Sequence, residues 1–201
     1  MNLSPLNGLK LGPEFEDALV YAARVHALQN RQGTDIPYIA HLLAVTSLVL
    51  ENGGDAEEAI AALLHDAAED QGGRPRLEDI RRRFGNRVAD IVYGCTDTFE
   101  DPKPCWRPRK EKYIKDLETS SPEVRRVALA DKLHNARCIL ADFRTVGDRV
   151  WDRFNADRDD IFWYYRSLVH VFQTTHTNGM AEDLGRTVTE LERVVAEGEP
   201  Q

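Results

Sequence analysis

The sequence predicts an all-α fold, a single helical bundle with a buried metal site. Three observations lead there. Nearly every segment places its apolar residues at the helical period, and no stretch holds the alternation of a half-buried strand. Ionisable side chains also interrupt helices that are otherwise apolar.

Taken in order, a first helix runs from about Pro13 to Asn30. Its proline stands early, and Glu14, Glu16 and Asp17 occupy the first turn, where carboxylates complement the helix dipole. The loop RQGTDIP leads to a second helix that starts near Tyr38 or His41 and ends at Asn52-Gly53-Gly54. The third opens with Asp55 and Glu58, a D-x-x-E capping pattern, and stops at Gly72-Gly73. A short fourth helix, LEDIRRRF, ends at Gly85, and Asn86 caps a fifth. The stretch 97–108 contains Pro102, Pro104 and Pro108 and reads as loop, with a helix from near Arg109 to before Ser120. Ser121-Pro122-Glu123 starts the next, which runs to about Phe143. Two amphipathic helices, about 158–174 and 181–196, close the chain. With no internal repeat and no long linker, residues 1–201 read as one domain, a motif-bearing core over about 14–143 followed by C-terminal helices over about 147–196.

A chain of 201 residues with 42% hydrophobic content can bury a substantial core. Its formal net charge is −8, the opposite of a duplex-reading protein, so a nucleic-acid partner is not expected. An acidic chain that handles a phosphorylated ligand must gather positive charge locally, through a metal or a basic cluster. Cys95, Cys105 and Cys138 form no C-x-x-C pair and leave one thiol unpaired in any disulfide scheme, which favours a reducing compartment. No window approaches the roughly 18 apolar residues of a membrane span, and the N-terminus lacks the apolar core of a leader peptide. The expectation is a cytoplasmic protein with a small-molecule partner and no membrane. The sequence leaves the oligomeric state open, a homo-oligomer included.

The informative residues sit where charge interrupts grease. His41 is the one imidazole among Ile39, Leu42, Leu43, Val45, Leu48 and Leu50. The run AIAALLHDAA is apolar except for His65 and Asp66. In VALADKLHNARCILA, Asp131 follows four apolar residues and shares a helical stripe with Val124, Ala128, Asn135 and Cys138. A buried carboxylate costs several kcal/mol unless it is paired or coordinated. Two carboxylates and two imidazoles are what a divalent metal needs, and mixed nitrogen and oxygen donors suit Mn, Fe, Zn or Mg. Taken singly, His41 reads more simply as a core histidine and Asp131 as the partner of a neighbouring base; the joint pattern favours the metal. Glu69 and Asp70 lie one turn beyond His65 and Asp66, where a carboxylate can orient a metal-bound water or move its proton. His26, His134, His170 and His176 read as structural or surface residues.

Lys103, Arg107, Arg109, Lys110 and Lys112 cluster around Trp106 and supply the basic patch, part of it read as a phosphate clamp. Arg81-Arg82-Arg83 reads as surface. Tyr164 and Arg166 are candidate nucleotide contacts on a late aromatic stripe.

The segments PYIAH (37–41), AALLHDAAED (61–70) and LADKLHNAR (129–137) resemble the HD-type hydrolase domain of RelA/SpoT proteins and their stand-alone relatives, the small alarmone hydrolases. Three separated motifs occur in the right order and spacing, and the likeness covers about 14–143. The resemblance implies Mn²⁺ held by His41, His65, Asp66 and Asp131, with Glu69 and Asp70 serving the attacking water. It implies removal of the 3′-pyrophosphate of ppGpp or pppGpp to give GDP or GTP. Arg31 stands where the family places a base-stacking arginine, and Asn135 where it places an amide against the nucleoside. Gln32 stands where most members have lysine, the loop before PYI differs in length, and Leu42 replaces the usual proline. The lost cation at Gln32 leaves the base open between ppGpp and an adenosine analogue, ppApp. The other readings are a different HD phosphohydrolase and a non-catalytic nucleotide-sensing module. With no synthetase signature in the sequence, the chain is expected to degrade its substrate and not to make it.

Overall fold

The computed structural model describes residues 11–100 and 102–198. The reading on a leader peptide falls largely on residues 1–10, outside the described residues. In order the helices are α1 (Pro13–Val25), α2 (Ile39–Glu51), α3 (Ala56–Leu64), α4 (Ala67–Asp70), α5 (Gly73–Phe84), α6 (Asn86–Cys95), α7 (Trp106–Thr119), α8 (Pro122–Val146), α9 (Arg158–Thr175) and α10 (Gly179–Gly198). A 3-10 helix, Gly147–Arg153, joins α8 to α9. Among the described residues there is no strand, only an isolated antiparallel bridge between Asn30 and Pro37. No described helix is long and apolar enough to cross a membrane.

Helix α8 organises the fold. At 25 residues it spans about 37 Å, at about 1.5 Å per residue, and packs on α2, α3, α6, α9, α10 and the 3-10 helix. Its start is fixed by Ser121, whose hydroxyl accepts from the Val124 amide, with Pro122 at the first helical position. Val127, Ala128, Leu129, Ala130, Leu133 and Ala136 are buried within one continuous core cluster that reaches from Ala18 to Val195. The α3 start is a full capping box. Asp55 accepts from the Glu58 amide, and Glu58 Oε2 accepts from the Asp55 amide at 2.8 Å.

Several boundaries differ from the sequence reading, each for a local reason. Helix α1 ends at Val25 and not near Asn30, because the chain turns into the pinched loop closed by the Asn30–Pro37 bridge. That loop needs Gly33, which sits at φ 70° beneath the Arg153 side chain. The expected third helix is broken at His65 and Asp66 into α3 and α4. His65 Nδ1 donates to the Ala62 carbonyl at 2.8 Å, satisfying one of the carbonyls that a helix end leaves over. Helix α5 starts earlier, at Gly73, and Asn86 is the first residue of α6 with Gly85, not Asn86, at the cap position. Helix α7 starts at Trp106, since Pro108 is tolerated in a first turn that has no amide partner to lose. The 3-10 helix was not foreseen.

Glu58 ties two of these elements together. It is 3% exposed, and its Oε1 accepts from Arg126 Nη1 of α8 at 2.5 Å. Glu58→Ala removes the side-chain half of the capping box and leaves Arg126 without its buried partner, so it is expected to cost about 3 kcal/mol in urea unfolding, whereas Glu57→Ala on the exposed face costs under about 0.5 kcal/mol. Equal losses in the two variants would contradict this role for Glu58.

Candidate metal centre and active-site cleft

Three helix segments bring the interrupting side chains together. His41 comes from the first turn of α2, His65 and Asp66 from the break between α3 and α4, and Asp131 from the middle of α8. His41, His65 and Asp66 each offer a ligand atom within 4.8 Å of the others. Asp131 Oδ1 lies 3.2 Å from His41 Nε2 and 3.7 Å from His65 Nε2. Asp66 Oδ2 lies 2.9 Å from His65 Nε2 and 3.6 Å from His41 Nε2.

The two shorter contacts have the separation of hydrogen bonds without their alignment, and the two longer ones lie beyond it. Both Nε2 atoms are buried and make no hydrogen bond among the described residues. Two imidazole nitrogens without hydrogen bonds, with carboxylate oxygens of Asp66 and Asp131 close by, suit a divalent cation with nitrogen and oxygen ligands. The surroundings orient the donors for it. His65 Nδ1 is spent on the Ala62 carbonyl, and His41 Nδ1 lies 2.8 Å from His134 Nδ1, which leaves each Nε2 free to face the centre. Tyr38 donates to Asp66 Oδ2 at 2.6 Å. Lys132 Nζ donates to Asp131 Oδ2 at 2.6 Å, and Asn135 Nδ2 to Asp131 Oδ1 at 2.5 Å.

The electrostatics show a site that favours positive charge. Burial opposes the charge of Asp66 and Asp131, yet the His65 ring beside Asp66 and the Lys132 ammonium beside Asp131 hold both carboxyls well below the usual range. Burial pushes the His65 imidazole down, and the charges of Asp66 and Asp131 override it to push the net value well up. Burial and the neighbouring His41 lower His134 to about 4, so this ring is neutral and able to accept from His41.

The centre opens into a cleft of about 920 Å³. Glu69 and Asp70 line it from α4. Glu69 Oε1 accepts from Lys103 Nζ at 2.7 Å and Oε2 from the Asp97 amide at 2.9 Å. Asp70 Oδ2 accepts from Gln29 at 2.9 Å, and burial together with the Asp66 charge pushes its carboxyl up to about 6.

Of the residues expected to meet the substrate, Arg31, Gln32, Lys110, Asn135 and Tyr164 line the cleft. Arg31 Nη2 donates to Asn135 Oδ1 at 2.6 Å, which joins the loop to α8. The Tyr164 hydroxyl is buried without a hydrogen-bond partner among the described residues. The basic stretch is dispersed, because a helix starting at Trp106 sends its side chains in different directions. Lys110 and Arg109 both pair with Asp97, Lys103 is half-exposed beside Glu69, and Lys112 pairs with Asp116 on the surface. Arg107 pairs with Asp160 and stacks on Trp163. Lys103 and Arg109 are not among the described residues that line the cleft. Arg166 pairs with Glu192 of α10, away from the cleft. Arg81, Arg82 and Arg83 pair with acids along α5 and its neighbour, as a surface run does.

Sequence reasoning missed Tyr38, Lys132 and His134. His134 had a readable signal, since it lies three residues from Asp131 and therefore on the same face of α8. His26 is buried, stacks on Tyr38 at 5.1 Å and has its Nδ1 2.6 Å from Gln29 Oε1.

Chelator-stripped protein is expected to bind one divalent ion per chain in calorimetry, and at a hundredfold excess over Kd the ion should add about 2.7 kcal/mol of stability. Asp66→Ala and Asp131→Ala should abolish both the heat and the rise in Tm. Undiminished affinity in either variant would remove that residue from the ligand set.

Comparison with known proteins agrees with this geometry. Residues 18–162 match the HD domain family. The GTP pyrophosphokinase of Streptomyces coelicolor is 38% identical over 126 residues, 62% of this chain, and the chain spans only 14% of that relative's length. The guanosine-3′,5′-bis(diphosphate) 3′-pyrophosphohydrolase MESH1 of Drosophila melanogaster is 30% identical over 168 residues, covering 82% of this chain and 88% of the relative. A solved structure described as a metazoan ortholog of SpoT that hydrolyzes ppGpp superposes with a TM-score of 0.73 at 26% identity, covering 92% of this chain and 97% of that one. Motifs, helical architecture and near-full-length similarity agree, and the chain belongs to the HD-domain family, in the SpoT-like branch that includes MESH1.

Proposed function

We propose that this chain is a metal-dependent 3′-pyrophosphohydrolase of (p)ppGpp that yields GDP or GTP plus pyrophosphate, with Mn²⁺ as its working ion. The observation that supports the reading most is that Glu69 and Asp70 line the same cleft as His41, Asp66 and Asp131, next to the His41–His65–Asp66 group. Relatives named for this reaction support it, MESH1 of Drosophila melanogaster among them.

His41, His65, Asp66 and Asp131 would hold the ion. When bound, it supplies Lewis acidity, lowering the pKa of a water and polarising a phosphoryl oxygen. Glu69, with both oxygens already engaged by Lys103 and the Asp97 amide, is a fixed acceptor that orients the water. Asp70, raised to about 6, is matched to moving a proton near neutral pH. Water attacks the phosphorus on the ribose 3′-oxygen, the 3′-O–P bond breaks, and the water's proton ends on the departing 3′-oxygen. Arg31, Lys110 and Tyr164 line the cleft; Lys110 and Tyr164 are read as contacts to phosphate oxygens and Arg31 as the stacking partner of the base, with Gln32 and Asn135 toward the nucleoside. Lys103 and Arg109 act in this reading by holding Glu69 and Asp97. The whole chain is read as one domain. A cytoplasmic setting is supported by the three cysteines, all free thiols.

Incubation with ppGpp, pppGpp and ppApp, with and without Mn²⁺, is expected to release pyrophosphate only with metal. Orthophosphate or a nucleoside monophosphate as product would favour another HD phosphohydrolase, and binding without turnover a sensing module. Glu69→Ala should keep the ion and lose at least about a hundredfold in kcat. A Glu69→Ala variant with full turnover would refute the role given to that side chain.

A further inference from the structure

Helix α8 carries Asp131, Asn135, Cys138 and Asp142 at intervals of four, three and four, one stripe about 16 Å long at about 1.5 Å per residue. All four line the cleft. The two ends of the stripe differ in chemistry. Asp131 belongs to the ligand cluster. Asp142 stands at the far end, where the 3-10 helix and the loop between Asn30 and Pro37 form the wall.

At that end Asp142 Oδ2 accepts from Arg153 Nη1 at 2.5 Å. The Arg153 stem lies over Gly33, 2.7 Å from where a Cβ would stand, so the glycine gives the arginine its path across the loop. Asp142 is 38% and Arg153 20% exposed, and Val150 and Phe154 line the cleft beside them. Arg31, bonded to Asn135, stands between the two ends.

A nucleotide with its 3′-phosphorus beside Asp131 and laid along this stripe brings its base toward Asp142 and Arg153. A carboxylate beside a guanidinium presents acceptors next to donors. The pairing edge of guanine is the complement, with the O6 acceptor for the guanidinium and the N1–H and 2-amino donors for the carboxylate. Adenine reverses the edge, setting its 6-amino group against the guanidinium and its bare N1 against the carboxylate. A site built to bond such groups rejects the analogue that lacks them, because its own polar groups are left unpaired.

We propose that Asp142 and Arg153 form the base-reading end of the cleft and select guanine over adenine. This rests on the pyrophosphohydrolase reading, and the test separates the two. Wild-type enzyme with Mn²⁺ is given ppGpp, its inosine counterpart lacking the 2-amino group, and ppApp. Binding of GDP, IDP and ADP is measured in parallel by calorimetry, which needs no turnover. Wild type should prefer the guanosine over the inosine substrate by at least about tenfold in kcat/KM, with ppApp lower still. Asp142→Ala and Asp142→Asn should bring the guanosine-to-inosine ratio near one, in turnover and in diphosphate binding alike. Arg153→Met should instead lower the guanosine and inosine substrates together, since both carry O6. Thermal melts and metal content check that the variants are folded and loaded. A wild type that cleaves none of the three sinks the functional reading, while the GDP-to-IDP ratio still judges the base assignment. A wild type indifferent to the 2-amino group, or a folded Asp142→Asn that keeps the wild-type ratio, overturns the assignment.

Discussion

Two imidazoles and two carboxylates gathered inside a helical core set the terms for the rest of this structure. Asp131 is 5% exposed, His41 1% and His65 2%, so water does little to screen them. Charges in such a place need a partner of opposite sign. The imidazole Nε2 atoms lie close to the carboxylate oxygens and yet bond none of them. A divalent cation held between them would satisfy nitrogens and carboxylates together.

The bundle is built to keep that cluster in place. Helix α8 delivers Asp131 while packing on α2 and α3, the elements that deliver His41 and His65, so core burial and ligand convergence depend on the same contacts. The outer bonds of Tyr38, Lys132, Asn135 and His134 then fix each donor's orientation. The same face of α8 that carries Asp131 runs on past Asn135 to Asp142, so the imidazole–carboxylate cluster and the far wall of the cleft share one helix. Glu69 and Asp70 enter from α4, a separate short helix, which places them beside the ligands without making them part of the set.

Much of this was legible in the sequence because it depends on local chemistry. Asp55 with Glu58 and Ser121 with Pro122 announce helix starts that form as expected. His41, His65, Asp66 and Asp131 stood out as polar residues within apolar runs, and the structure brings them together. What escaped depends on contacts between distant segments. The break at His65 depends on a ring folding back onto the Ala62 carbonyl, and the early end of α1 on a bridge to Pro37. The basic stretch near Trp106 reads as one patch, but the helix phase set by Trp106 separates Lys110, in the cleft, from Arg107, stacked outward on Trp163. The Asp142–Arg153 pair spans a 3-10 helix with no periodic signal.

The central claim, a single cation at the focus of these side chains, is open to one direct measurement. Crystals grown with Mn²⁺ and measured above and below the manganese absorption edge should give one strong anomalous peak per chain, within coordination distance of His41 Nε2, His65 Nε2, Asp66 and Asp131. A peak elsewhere, or none there at saturating metal, would contradict the account.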